Sequence, residues 1–161
     1  MTEAHRRLAF DVALAQLRSQ KDDLRYARNQ AGMAAALSGL IATVFAGLVE
    51  PNKITIEGSY FFLSLPLDVW LVISLFFASI YYAAMVGLAQ RRCIFELFPR
   101  FIITQGDNGI PIEKTFEELA MDCDRYFDEN EAVIAEARSN LWKSVVSGCS
   151  QVPAWMVVLV S

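Results

Sequence analysis

Two uncharged stretches, Ala31 to Val49 and Val69 to Ala89, interrupt a chain that elsewhere mixes polar and apolar positions, and each has arginines on one flank only. Their 19 and 21 residues reach roughly 28 to 32 Å as helices, close to the hydrocarbon thickness of a bilayer. A third stretch, Ser144 to Ser161, is uncharged for 18 residues and follows Trp142-Lys143, a pair suited to a membrane interface. Ser144, Ser147, Gly148, Ser150, Gln151 and Pro153 dilute its first half, yet a third crossing accounts for it best. Pro153 frees a backbone carbonyl and predicts a kink.

Between the crossings the pattern changes period. From about Thr2 to Gln30, Phe10, Leu14, Leu17 and Leu24 recur at helical spacing, which predicts an amphipathic N-terminal helix with no proline to break it before the first crossing. The loop from Glu50 to Asp68 opens on Pro51-Asn52 and carries Tyr60, Phe61 and Phe62, residues that suit an outer interface. Asp68 caps the second crossing, whose helix is predicted to continue to Phe98 and stop before Pro99. Gly106-Asp107-Asn108-Gly109 lies between two apolar runs and predicts a small β-hairpin over 101–112, leaning on helices because two strands alone are marginal. Thr115 and Glu118 form a capping-box pattern that opens another helix, with Phe116, Leu119, Cys123, Tyr126, Val133 and Ala137 at near-heptad spacing.

Charge sharpens this picture. Residues 1–30 carry six basic side chains against four acidic, whereas 113–143 carry four against nine, so an antiparallel coiled pair of these helices is expected. Arg25 and Arg28 precede the first crossing, Arg91, Arg92 and Arg100 follow the second, and the connecting loop holds only Lys53, which puts both ends of the hairpin in the cytoplasm. The third crossing then takes the C-terminus to the periplasmic or extracellular side. The first apolar run follows about 30 polar residues and is too long for a signal-peptide core, so no cleavable leader is expected. The organisation is therefore a cytoplasmic helix (1–30), a transmembrane hairpin (31–90), a cytoplasmic turn and acidic helix (91–143) and a third crossing (144–161), an all-α membrane protein.

Hydrophobic residues make up 55% of the chain and the net charge is −4, which excludes nucleic acid as a partner for want of a basic face. Cys93, Cys123 and Cys149 are too widely spaced for a disulfide framework and read as small apolar fillers. The single histidine, His5, has no readable catalytic or metal-ligand spacing around it, so neither an enzyme nor a cofactor is expected. In the first crossing Ala35, Gly39, Thr43 and Gly47 form a four-residue-spaced small stripe, with Ala34, Ser38, Ala42 and Ala46 beside it. Small residues let membrane helices approach closely, either within one chain, against Ser79, Ala83 and Gly87, or between copies of a homo-oligomer. Ser144, Ser147 and Gln151 share a face of the third segment, which reads as a pore lining or as hydrogen bonding in a sealed bundle. Arg91, Arg92 and Arg100 offer contact to an anionic ligand, such as a nucleotide messenger or lipid head group, although topology alone accounts for most of them.

The lead helix with Ala15-Gln16-Leu17 through Arg28-Asn29-Gln30-Ala31-Gly32, the small-residue-rich crossing, the short outer loop, the arginine-ended second crossing and the long returning helix together resemble the SLATT family of bacterial two-transmembrane effectors. That resemblance implies an oligomeric inner-membrane effector of antiviral defence that breaches the membrane. The third apolar segment and the lack of an attached sensor domain depart from it. The alternatives are a non-conducting membrane anchor that docks a soluble cytoplasmic partner through its acidic helices, and a holin-like lysis protein.

Overall fold

The computed structural model describes residues 3–49, 66–95 and 99–160, and the aromatic loop cluster at Tyr60, Phe61 and Phe62 lies outside them. The described residues form helix α1 (Glu3–Leu48), α2 (Leu67–Ala89), a 3-10 turn (Gln90–Arg92), α3 (Pro99–Asp107) and α4 (Ile112–Val160), with no strand among them. α1, α4 and the stretch Leu67–Arg92 are each long and apolar enough to cross a membrane. The chain divides into two compact units, one made of 1–26 with 89–137 and the other of 27–88 with 138–161.

In the first unit the buried positions of α1 are Ala13, Leu17, Gln20 and Leu24, spaced by three or four residues as one helical face requires. Ala13 and Leu17 pack on Cys123, with Phe10, Tyr126 and Phe127 around them. Contacts climb both helices together: Arg6 pairs with Glu117 at 3.2 Å, the Phe10 and Phe116 rings lie 5.6 Å apart, and Gln20 bonds to the Phe127 carbonyl at 3.0 Å and Glu131 at 3.2 Å. The pair is therefore parallel, which corrects the antiparallel expectation. Both helices run from a charged first half to an apolar second half, so only a parallel alignment matches like with like along their lengths.

The expected β-hairpin over 101–112 is also absent. Pro99 starts a helix well, its fixed φ being helical already. The chain leaves α3 through Gly109 at φ +68, with the N–H of Ile110 bonded to the Gln105 carbonyl and that of Gly109 to the Gly106 carbonyl, both at 3.0 Å. That pair of bonds is a Schellman stop. The glycine-rich turn signal thus ends a helix instead of joining strands, and Phe101 and Gln105 turn inward one helical turn apart. α4 begins three residues before the expected capping box. Thr115 is buried and donates to the Pro111 carbonyl, while Glu118 accepts from Gln105 at 2.9 Å.

In the second unit α1 and α4 again run parallel, since Ser38 meets Gln151 and, seven residues on, the Phe45 ring stacks on Trp155 with centroids 6.0 Å apart. α2 runs opposite to α4, with Val72 near Trp155 and Ser79 at Ser144. Val49, Val72, Ala154, Trp155 and Val158 form the apolar core. Of the apolar windows of α1 and α2, only 11% and 17% are buried, so most of their hydrophobic surface faces outward, as a lipid solvent allows. α4 continues through Pro153 to Val160.

Candidate functional site

The interior of the second unit holds polar side chains where apolar ones would pack. Ser38 on α1, Ser79 on α2, and Ser144 and Gln151 on α4 each have 0% exposure. They hydrogen-bond across helices. The Ser79 hydroxyl donates to the Ser144 carbonyl at 3.0 Å, the Ser144 hydroxyl donates to the Ser79 carbonyl at 2.8 Å, and the Gln151 amide donates to the Ser38 hydroxyl. Gly148 makes the junction possible: a Cβ there would lie 3.3 Å from Ser79 Oγ and 3.7 Å from Ser38 Cβ. Small residues at this one level let three backbones converge, and the serines then bond without long side chains. Gln151 Oε1 and Trp155 Nε1, one turn apart on α4, are buried with no hydrogen-bond partner.

The geometry places Ser144 and Gln151 inside the bundle. Ser144 and Gln151 have no accessible surface and bond inside the bundle, and Ser147 is half-buried, so in the single chain they do not line an open path. Interhelical hydrogen bonding accounts for Ser144 and Gln151.

The small stripe behaves differently. Ala35 and Gly39 are half-buried, Thr43 and Gly47 are exposed, and a Cβ added at Gly39 or Gly47 meets nothing within 4 Å. Thr43 turns its hydroxyl back to the Gly39 carbonyl at 2.9 Å. Ser79 bonds to Ser144, and at Gly87, as at Gly39 and Gly47, an added Cβ meets nothing within 4 Å. The neighbouring row supplies the intrachain contact through Ser38.

Arg92 is held by Glu136 at 2.7 Å, while Arg91 and Arg100 are exposed on the 3-10 turn and the first turn of α3. Asp68, in the first turn of α2, accepts the Val69 N–H at 3.0 Å and stabilises the helix start, where the dipole favours a negative charge. Cys93, Cys123 and Cys149 are free thiols. Burial pushes the Cys93 and Cys123 thiols above their ordinary range, with Asp122 adding to the shift at Cys123 and Arg92 opposing it at Cys93. Among the described residues no three His, Cys, Asp or Glu side chains gather as metal ligands would.

Sequence reasoning missed Asn130. It is 2% exposed, its amide donates to the Ile94 carbonyl at 2.8 Å, and its carbonyl accepts the Ile94 N–H at 2.9 Å. This two-pronged grip imitates a strand partner. It explains why the helix of the second apolar run does not continue to Phe98 as expected: the chain is extended at Cys93 (φ −97, ψ 145), and Ile94 gives its backbone bonds to Asn130. The signal was a polar residue seven positions after Cys123 and seven before Ala137, in the core row of α4. Comparison with protein-family profiles, curated proteins and solved structures finds no match.

Proposed function

We propose that the chain is a non-enzymatic integral membrane protein whose three crossings form a sealed anchor for the helical unit outside the bilayer. The observation that carries this reading is the junction of Ser38, Ser79, Ser144 and Gln151, side chains with no accessible surface that hydrogen-bond from helix to helix within one chain. The arginine asymmetry supports a cytoplasmic N-terminus and an external C-terminus. The exposed acidic residues of α4 support a docking role, because Asp124, Asp128 and Glu129 offer negative charge to a soluble, basic partner. The test is reconstitution. Carbonate-resistant protein in dye-loaded liposomes should leave the dye retained, and leakage from wild-type vesicles would refute the sealed anchor.

A second reading follows the SLATT resemblance: an oligomeric, membrane-breaching effector of antiviral defence in a bacterial inner membrane. The outward stripe of Gly39, Thr43 and Gly47 favours it, since two copies can approach closely there without displacing any intrachain contact. On this reading the breach forms between copies. The same liposome experiment separates the two, because only the second produces leakage, and leakage would then rise with the protein-to-lipid ratio.

A further inference from the structure

Two polar atoms of the second unit are buried without a hydrogen-bond partner: Gln151 Oε1, on a side chain with no accessible surface, and the indole Nε1 of Trp155, a residue 8% exposed. Both groups are held in place. The nitrogen end of the Gln151 amide is tied to the Ser38 hydroxyl, and the Trp155 ring is stacked on Phe45 with their planes 9° apart. The core around the indole is built from Val49, Val72, Ala154 and Val158, whose side chains have no polar atom to offer. A buried donor or acceptor without a partner forfeits the hydrogen bonds it made in water, so protein interiors pair nearly all of them, with protein or with an ordered water.

We propose that one water molecule is enclosed here, accepting from Trp155 Nε1–H and donating to Gln151 Oε1; this rests on the sealed reading above. Residues four apart on a helix share a face with their Cβ atoms roughly 5–6 Å apart. Two hydrogen bonds through one water span about 5 Å, so a donor and an acceptor at this spacing suit a single bridging molecule. Turning the Gln151 amide over would keep a bond to Ser38 and present two donors instead, both of which a water oxygen accepts. An ion does not suit the place, because both groups are neutral and an ion among apolar side chains would go unpaired. One molecule held by two groups of the same helix gives bulk solvent no path, and the serine junction beside it stays dry.

The experiment uses the full chain in detergent micelles with isotope-labelled tryptophan, and records cross-peaks between each indole proton and water by NOESY and ROESY, with Trp155→Phe assigning the Trp155 signal. A water that stays longer than the protein takes to tumble gives a peak that changes sign between the two spectra. Exchange of an indole proton with bulk water gives the same sign in both. Trp155 should show the sign change, and Trp142, 69% exposed, should show exchange. Gln151→Met, which keeps an unbranched side chain without the amide, should lose the Trp155 peak and leave the Trp142 signal unchanged, with helix content and particle size checking its fold. A sign-changing peak that survives in Gln151→Met would overturn the bridge. The wild-type spectrum decides without any variant: a Trp155 peak of unchanged sign would mean that bulk water reaches the indole, and would sink the enclosed water and the sealed anchor together. No Trp155 peak, in a protein that retains dye in liposomes, would sink the enclosed water alone.

Discussion

Placing a leucine at Gly148 tests the three-helix junction at its tightest point. A Cβ there sits 3.3 Å from Ser79 Oγ and 3.7 Å from Ser38 Cβ, so even the first added carbon presses on Ser79. The remaining carbons have no space without parting α2 from α4. Overpacking of this kind costs about 1–3 kcal/mol. Separation also breaks the reciprocal Ser79–Ser144 pair, and interhelical bonds in membrane proteins average about 0.6 kcal/mol each. The total is about 2–4 kcal/mol, reduced by the roughly 1 kcal/mol gained when glycine leaves a helix interior. Gly39→Leu is the matched control: it has the same propensity gain, and an added Cβ there meets nothing within 4 Å. Reversible unfolding in mixed micelles, followed by circular dichroism, should place Gly148→Leu about 2 kcal/mol or more below Gly39→Leu. Equal stabilities for the two variants would refute the junction as described.

Asn130→Ala should destabilise the first unit by about 1–3 kcal/mol through loss of two hydrogen bonds, and Asn130→Asp should not rescue it at neutral pH because a carboxylate cannot donate to the Ile94 carbonyl; thermal denaturation of both variants checks this. Gly39→Ile and Gly47→Ile should leave the fold of the single chain intact and weaken self-association by about 1–2 kcal/mol, and cross-linking and particle size equal to wild type in both would eliminate the stripe as a contact between copies. Burial raises the Cys123 pKa in the folded state, so folding is favoured while the thiol stays protonated. This contribution is lost as pH rises past the ordinary value of 9.0, and the pH dependence of stability in wild type against Cys123→Ala measures it. Reporter fusions should be active outside the cytoplasm at the C-terminus and inside it at the N-terminus, and cytoplasmic activity at both would show that Ser144 to Ser161 does not cross.

The three apolar helices were legible because long uncharged runs have few alternatives in water or in lipid. What the sequence hid was tertiary. Phe101 to Thr104 is β-prone and followed by a glycine-rich turn signal, yet Pro99 and the Gly109 cap suit a helix equally well, and the described residues hold no strand to pair with it. The parallel pairing of α1 and α4 was obscured by net charge, which carries no direction, whereas the gradient from polar to apolar along each helix does. Ser144 and Gln151 share a face in any helical reading, but whether that face meets water or other helices depends on Ser38 and Ser79, more than sixty residues away. Asn130 was hidden because its partner is backbone, and backbone leaves no mark in a sequence.

A sealed anchor requires a dry junction. In a chain whose native cysteines are replaced by alanine, Ser144→Cys and Gln151→Cys can be exposed in native membranes to a charged, water-soluble maleimide, with Asp124→Cys as the accessible control. The sealed bundle predicts full labelling of the control and none at 144 or 151 until the protein is unfolded, since a thiol without water around it neither ionises nor meets the reagent. Rapid labelling at either position in the folded protein would mean that water reaches the interior, and would contradict the sealed anchor.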